Sequence, residues 1–177
     1  MTVGEALVAL LAKYGVDTVF GIPGTHSIEL YRGLEPSGMR HVLTRHEQGA
    51  GFMADGYARI TGKPGVCFVI TGAGVTNIAT AVAQAHSDSV PLLIISPVND
   101  IVHGADGERE HHGRLHELGD QAAVTRPFTA FSETAENQQH LLELVHRSFA
   151  LFECERPRPV HINIPLSILR DLSLIHI

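Results

Sequence analysis

Apolar positions along the chain switch between two spacings. Leu7, Leu10, Leu11 and Tyr14 recur at helical spacing, with Thr2 and Glu5 ahead of them at capping-box distance, so the chain opens on an amphipathic helix. Gly15 supplies its stop, and Val16-Asp17-Thr18-Val19-Phe20 reads as a first strand. Gly21-Ile22-Pro23-Gly24 forces a turn; a short helix is expected over Ser27 to Leu34, then a loop at Glu35-Pro36-Ser37-Gly38. His41-Val42-Leu43-Thr44 is a short strand running into a helix that starts near Glu47 and ends near Gly62. Val66-Cys67-Phe68-Val69-Ile70 is a continuous apolar run of the kind found in strands covered on both faces.

The pattern then repeats in outline. Thr71-Gly72-Ala73-Gly74-Val75-Thr76-Asn77 is a glycine turn opening a helix with Val75, Ile78, Ala79 and Val82 at helical spacing, and Pro91 to Ser96 is another buried strand closed by Pro97. Val98 to Gly119 is polar and without periodicity, a length that marks a functional or a mobile loop. A weaker strand is expected over Phe128 to Phe131, a helix over Ala135 to Phe152 with Leu141, Leu142, Val145 and Phe149 inward, and a last strand over Val160 to Ile164. Strands alternating with helices across short glycine turns predict an α/β, doubly wound, mostly parallel sheet in a flavodoxin-like three-layer domain with helices on both faces. Ligands in that architecture sit beyond the carboxyl ends of the strands, where Gly21 to Ser27, Arg45 to Gln48, Thr71 to Asn77 and Ser96 onwards are expected.

Composition narrows the partners. At 177 residues with 44% hydrophobic and 18% charged content the chain can bury a real core, and a formal charge of -6 without a basic cluster gives nucleic acid or an anionic membrane little to hold. Cys67 in an apolar run and Cys154 beside charges do not form a disulfide framework, so a reducing, cytoplasmic setting is expected. The apolar stretch from Ala6 to Ala12 lacks the positive flank of a signal segment, and no other stretch is long enough to span a bilayer.

Glu47 is the one acid placed where a strand becomes a helix. It is either a first-turn carboxylate favoured by the helix dipole or a catalytic group at the ligand edge. The helix after it carries Gly49, Gly51 and Ala54, small residues that either let the helix lie close on the sheet or form a surface for a partner. Thr71 to Asn77 fails the dinucleotide fingerprint, because Asn77 stands where a third glycine is wanted and Asp88 is a poor, early candidate for the ribose-binding acid; an anion nest or plain tight packing stays open there. The loop holds His103, His111, His112 and His116 among Glu108, Glu110 and Glu117, but Gly113 opposes the helix that a His112–His116 metal pair needs, and no metal ligand set is assigned.

Taken together, Gly21-Ile22-Pro23-Gly24, Arg45-His46-Glu47-Gln48-Gly49-Ala50, Ala54 to Arg59 and Thr71 to Asn77 resemble the N-terminal pyrimidine-binding domain of thiamine-diphosphate-dependent enzymes, in the branch of acetolactate synthases and 2-oxo-acid decarboxylases. The resemblance covers residues 1–169, with 170–177 left as a tail. Gly24-Thr25-His26 with Leu115-His116-Glu117 looks closest to the guanidino-oxopentanoate decarboxylase type. It implies that Glu47 hydrogen-bonds the ring nitrogen of the cofactor's aminopyrimidine, so that the pyrimidine's own nitrogen can deprotonate the thiazolium carbon. It also implies that Pro23, Gly24, Gly72, Gly74 and Asn77 border the cofactor, and that Thr25, His26 and His116 face the substrate. Thr25 equally suits a helix cap. His111-His112 resembles a proton-relaying histidine pair of some relatives and competes with His116 for that place. The chain departs from the family in having Ala73 where proline is usual and Ala130 where a lysine often follows the loop.

No Gly-Asp-Gly with a downstream Asn is present, so the resemblance puts the cofactor's diphosphate and its Mg2+ on a second domain or subunit. The expected assembly is a lyase or an acetolactate-forming transferase acting on a 2-oxo acid, a homo-oligomer in full-length form, with this chain inactive alone. The residues from Asp171 on do not look like the family's linker and predict a truncated piece with a sticky tail, with a separate natural subunit as the alternative. The rival of another class is a non-catalytic flavodoxin-like module binding an anion or nucleotide at Gly72 to Asn77.

Overall fold

A computed structural model describes residues 1–101 and 113–174. Helix α1 (Val3–Lys13) is capped as its sequence demands: the Thr2 side chain accepts from the Glu5 N–H, and the Glu5 carboxylate accepts from the Thr2 N–H at 2.7 Å. Strand β1 (Thr18–Gly21) leads through a 3-10 turn at Thr25–Ser27 into helix α2 (Ile28–Arg32). The loop expected after it is a single helical turn, α3 (Leu34–Ser37), because proline is tolerated in a first turn and Gly38, left-handed at φ 70, ends it. Strand β2 (Arg40–Leu43), helix α4 (Glu47–Thr61), strand β3 (Gly65–Phe68) and helix α5 (Ala73–Asp88) follow the expected order. So does strand β4 (Leu92–Val98).

Pro97 does not close β4. The strand runs through it, because β3 has already ended opposite Ile95, so the missing N–H costs no ladder bond. Helix α6 (Gln121–Thr125), capped by Asp120, runs into a 3-10 turn at Arg126–Phe128, and strand β5 (Phe131–Thr134) starts only at Phe131. The strand expected over Phe128 to Phe131 is therefore displaced, since Pro127 suits the start of a tight helical turn. Helix α7 (Gln138–Cys154), strand β6 (Val160–Pro165) and helix α8 (Leu166–Arg170) complete the fold.

The six strands among the described residues are all parallel, in the order β2-β1-β3-β4-β6-β5. Alternation along the central strands divides the core in two. Val19, Val66, Phe68, Leu93, Ile95, Val160 and Ile162 pack against α1, α2, α7 and α8, while Phe20, Cys67, Val69, Leu92 and Ile94 pack under α4 and α5.

The small residues of α4 do internal work rather than forming one outward surface. A Cβ on Gly51 would lie 2.5 Å from the Ala81 Cβ of α5, and one on Gly65 would lie 2.4 Å from the Ala54 carbonyl oxygen. Gly51 and Ala54 are thus buried against α5 and β3, and of the three only Gly49 opens outward. The exposed residues of that helix are instead Phe52, Met53, Gly56, Arg59, Ile60 and Thr61. Residues 171–174 lie along the body, with Leu172 bridging Thr2, the Ser173 N–H donating to the Met1 carbonyl and the Leu174 N–H to the Gln138 side chain; Leu172 and Leu174 stay exposed.

Candidate functional site

The strand order reverses at β1, whose sequence neighbours β2 and β3 lie on opposite sides of it. Such a reversal leaves a crevice outside the carboxyl ends of the strands. A pocket of about 350 Å³ lies there, lined by Ile22, Pro23, Gly24, Thr25 and His26 after β1, Glu47 after β2, Ile70 after β3, and Leu115 and His116 from the later loop.

Glu47 is the first residue of α4 and only 7% exposed. His46 precedes it in extended conformation, its Nδ1 accepting from the Gln48 N–H at 3.1 Å, which turns the chain from strand to helix and aims the first-turn carboxylate inward. Asn77 Nδ2 donates to Glu47 Oε2 at 2.8 Å. Oε1 takes no hydrogen bond among the described residues, and a Cβ on Gly74 would stand 3.5 Å from it and 2.7 Å from Ile70 Cγ2. One carboxylate oxygen is held and the other is left with a cleared space that any larger residue at position 74 would fill.

Gly72 caps α5 with φ 63, a backbone state that favours glycine, and a Cβ there would meet the His116 carbonyl oxygen at 2.1 Å. Its N–H donates to Gln121 Oε1 at 2.6 Å, and Gln121 Nε2, with two protons to share among them, lies within 2.9 Å of Ser96 Oγ, the Pro97 carbonyl and Asn163 Oδ1. The glycine turn is therefore pinned from below by a buried glutamine and covered from above by the turn carrying His116. Asn99 Nδ2 donates to the Leu115 carbonyl and steadies that turn.

His26 is half-buried, with Nδ1 3.1 Å from Thr71 Oγ1 and its ring edge-on to that of His116 at 6.0 Å between centroids. Burial, then His116 and Arg170, hold the His26 imidazole below its ordinary value, so it is neutral near pH 7. Thr25 opens the 3-10 turn after β1 and is exposed; the capping role open to it falls instead to Gly24 and Ser27, with the Gly24 N–H donating to Ser27 Oγ.

Six of the residues singled out from the sequence, Pro23, Gly24, Thr25, His26, Glu47 and His116, line one pocket. Gly74 and Asn77 stand against Glu47, and Gly72 lies under His116. His103, His111 and His112 lie outside the described residues. Sequence reasoning missed Gln121 and gave Thr71 no role, because a polar residue that bonds three separate segments leaves no local spacing to read. Among the described residues no group of three His, Cys, Asp or Glu side chains is gathered for a metal ion, and no helix is long and apolar enough to cross a membrane.

Residues 1–124 match the family described as thiamine pyrophosphate enzyme, N-terminal TPP binding domain. The chain is 66% identical over 169 residues to a protein of Pseudomonas aeruginosa named probable 2-ketoarginine decarboxylase, covering 96% of this chain and 30% of that one. It is 38% identical to the acetolactate synthase large subunit of Corynebacterium glutamicum, covering 95% of this chain and 26% of that one. To the acetolactate synthase isozyme 1 large subunit of Escherichia coli it is 37% identical, covering 94% of this chain and 29% of that one. The chain thus spans less than a third of the length of these relatives.

Proposed function

This chain belongs to the thiamine pyrophosphate enzyme family through its N-terminal TPP binding domain, and from that premise we propose that residues 1–169 form the pyrimidine-binding half of a 2-oxo-acid decarboxylase. The observation that carries the reading is the Glu47 carboxylate, buried at the switch point with Oε2 tied to Asn77 and Oε1 open to the pocket. The residues present fit an aminopyrimidine: apolar walls from Ile22, Ile70 and Leu115, a space kept clear by Gly74, and one unpaired carboxylate oxygen. When bound, thiamine diphosphate supplies the nucleophilic carbon and the electron sink for removing carbon dioxide from a 2-oxo acid.

The chain's own residues prepare that chemistry. Glu47 presents Oε1 for sharing a proton with a ring nitrogen, and Asn77 keeps the carboxyl group from rotating away. Pro23, Gly24, Gly72 and Gly74 keep side chains out of the cofactor's space, and Thr25, His26 and His116 face the substrate. The diphosphate and its Mg2+ belong to a second domain or subunit, which makes this chain inactive alone and the working enzyme an oligomer. A guanidino-bearing 2-oxo acid is the preferred substrate, on the strength of the 66% identity and of Ala130, which stands where acetolactate synthases often have lysine.

Mixing the chain with a protein that carries the diphosphate-and-metal half tests this. Magnesium-dependent cofactor binding lost in Glu47→Ala is the expected result. Binding indifferent to Glu47 sinks it in favour of an anion-binding module. In the assembled enzyme, Glu47→Gln is expected to keep the fold and lower turnover by about 10²–10⁴-fold.

A further inference from the structure

The hydroxyl of Thr71 is fully buried and has one proton. That proton goes to the Pro97 carbonyl, an acceptor with no hydrogen to give, at 3.0 Å. The contact between Thr71 Oγ1 and His26 Nδ1 at 3.1 Å must then be donated by the ring, so Nδ1 carries hydrogen. A neutral imidazole has a single N–H, and Nε2 is consequently left with a bare lone pair. No partner bonds Nε2 among the described residues, and His26 lines the pocket. The free imidazole side chain prefers the opposite form, with hydrogen on Nε2, so the threonine reverses an intrinsic preference.

We infer that Thr71 fixes His26 as its Nδ1–H tautomer and thereby makes Nε2 a hydrogen-bond acceptor that reads an N–H donor on the substrate. The substrate half of this statement rests on the function proposed above; the tautomer does not. None of the residues lining the pocket is Lys or Arg, and no described residue bonds Nε2. The donor that Nε2 accepts from therefore comes from the ligand, as a guanidinium or amine supplies it. Thr71 is a positioning residue: it acts on the substrate only through the ring of His26.

Nitrogen-15 spectra of the histidine side chains in the 177-residue chain decide the tautomer. His26 is expected to show a pyrrole-type Nδ1 and a pyridine-type Nε2 near neutral pH. Thr71→Val is expected to invert the pattern and Thr71→Ser to restore it. The valine variant leaves no orphaned carbonyl, since Gln121 Nε2 still donates to Pro97 at 2.8 Å. Hydrogen on Nε2 in the unaltered chain, or an unchanged pattern in Thr71→Val, overturns the inference.

In the assembled enzyme, Thr71→Val is expected to raise KM about tenfold for a 2-oxo acid ending in a guanidinium, with a smaller change in kcat, and to spare one of similar length ending in an alkyl group. Equal effects on both substrates, with cofactor binding still dependent on Glu47, overturn the substrate half and leave the proposed function standing. Loss of that Glu47 dependence strikes the proposed function instead, and the nitrogen spectra still decide the tautomer.

Discussion

Two polar regions lie on the same sheet, one at the carboxyl ends of β1 and β3 and one over the body of β4, β5 and β6, and they treat hydrogen-bonding capacity in opposite ways. Beside β4, β5 and β6, His161 is fully buried with Ser96 Oγ at 2.7 Å from Nε2 and Thr125 Oγ1 at 2.7 Å from Nδ1, while Gln121 and Asn163 close the rest of the network. Beside β1 and β3, His26 has one ring nitrogen engaged and Glu47 one oxygen, and the remaining lone pair and oxygen face a pocket. A saturated network specifies a core, whereas a half-saturated one that stays open to solvent is prepared for a ligand. Gln121 joins the two, accepting from the Gly72 N–H of the open region while its amide nitrogen serves the closed one.

That link gives the largest expected effect on stability. Gln121→Leu leaves the Gly72 N–H without its partner and removes the two amide protons shared among three acceptors, although Pro97, Ser96 and Asn163 each retain another partner. The cost is expected to be about 2–4 kcal/mol, read from urea denaturation. Nuclear magnetic resonance should show shifts at Gly72 and His116 together, because the glycine turn carries both regions. A loss below about 1 kcal/mol would mean that the two regions are independent.

Acid separates them at the next level. Burial pushes the His161 imidazole down to about 3, and its partners are hydroxyls, so no charge rescues the protonated form. From its ordinary value of 6.5 downward the unfolded chain binds a proton that the folded one refuses until the pH reaches about 3. The stability owed to neutral His161 is intact above that upper value and drains away as the pH falls through the window. His161→Gln, which cannot titrate, is expected to flatten the fall in urea midpoint between pH 7 and pH 5. His26, also held below its ordinary value, contributes a smaller slope of the same sign that survives in the variant. An unchanged slope in His161→Gln would show that the closed region is not what acid attacks.

The sequence carried unequal amounts of this picture. Element order, the two-faced sheet and the capping box at Thr2 were legible, because period, glycine stops and cap spacing are local signals. So was Glu47, since an acid at a strand-to-helix junction is placed by topology alone. What stayed hidden depended on partners distant in sequence. Thr71 meets Pro97 across 26 residues and His26 across 45, and Gln121 meets Gly72 across 49. The partner surface expected at Gly51 and Ala54 failed for the same reason, while their packing within the fold held: small residues announce close approach without saying to what, and here the approach is to α5 and β3.

The smallest expected effect tests the comparison most directly. His26→Ala removes one net hydrogen bond from a half-buried ring, and Thr71 keeps its bond to Pro97, so no buried group is orphaned. The urea midpoint is expected to fall by less than about 1 kcal/mol equivalent, well short of Gln121→Leu. In the assembled enzyme the same variant is expected to weaken use of a guanidinium-bearing 2-oxo acid by about tenfold. A stability loss matching that of Gln121→Leu, with substrate use unchanged, would make His26 a core histidine like His161 and erase the distinction between the two regions.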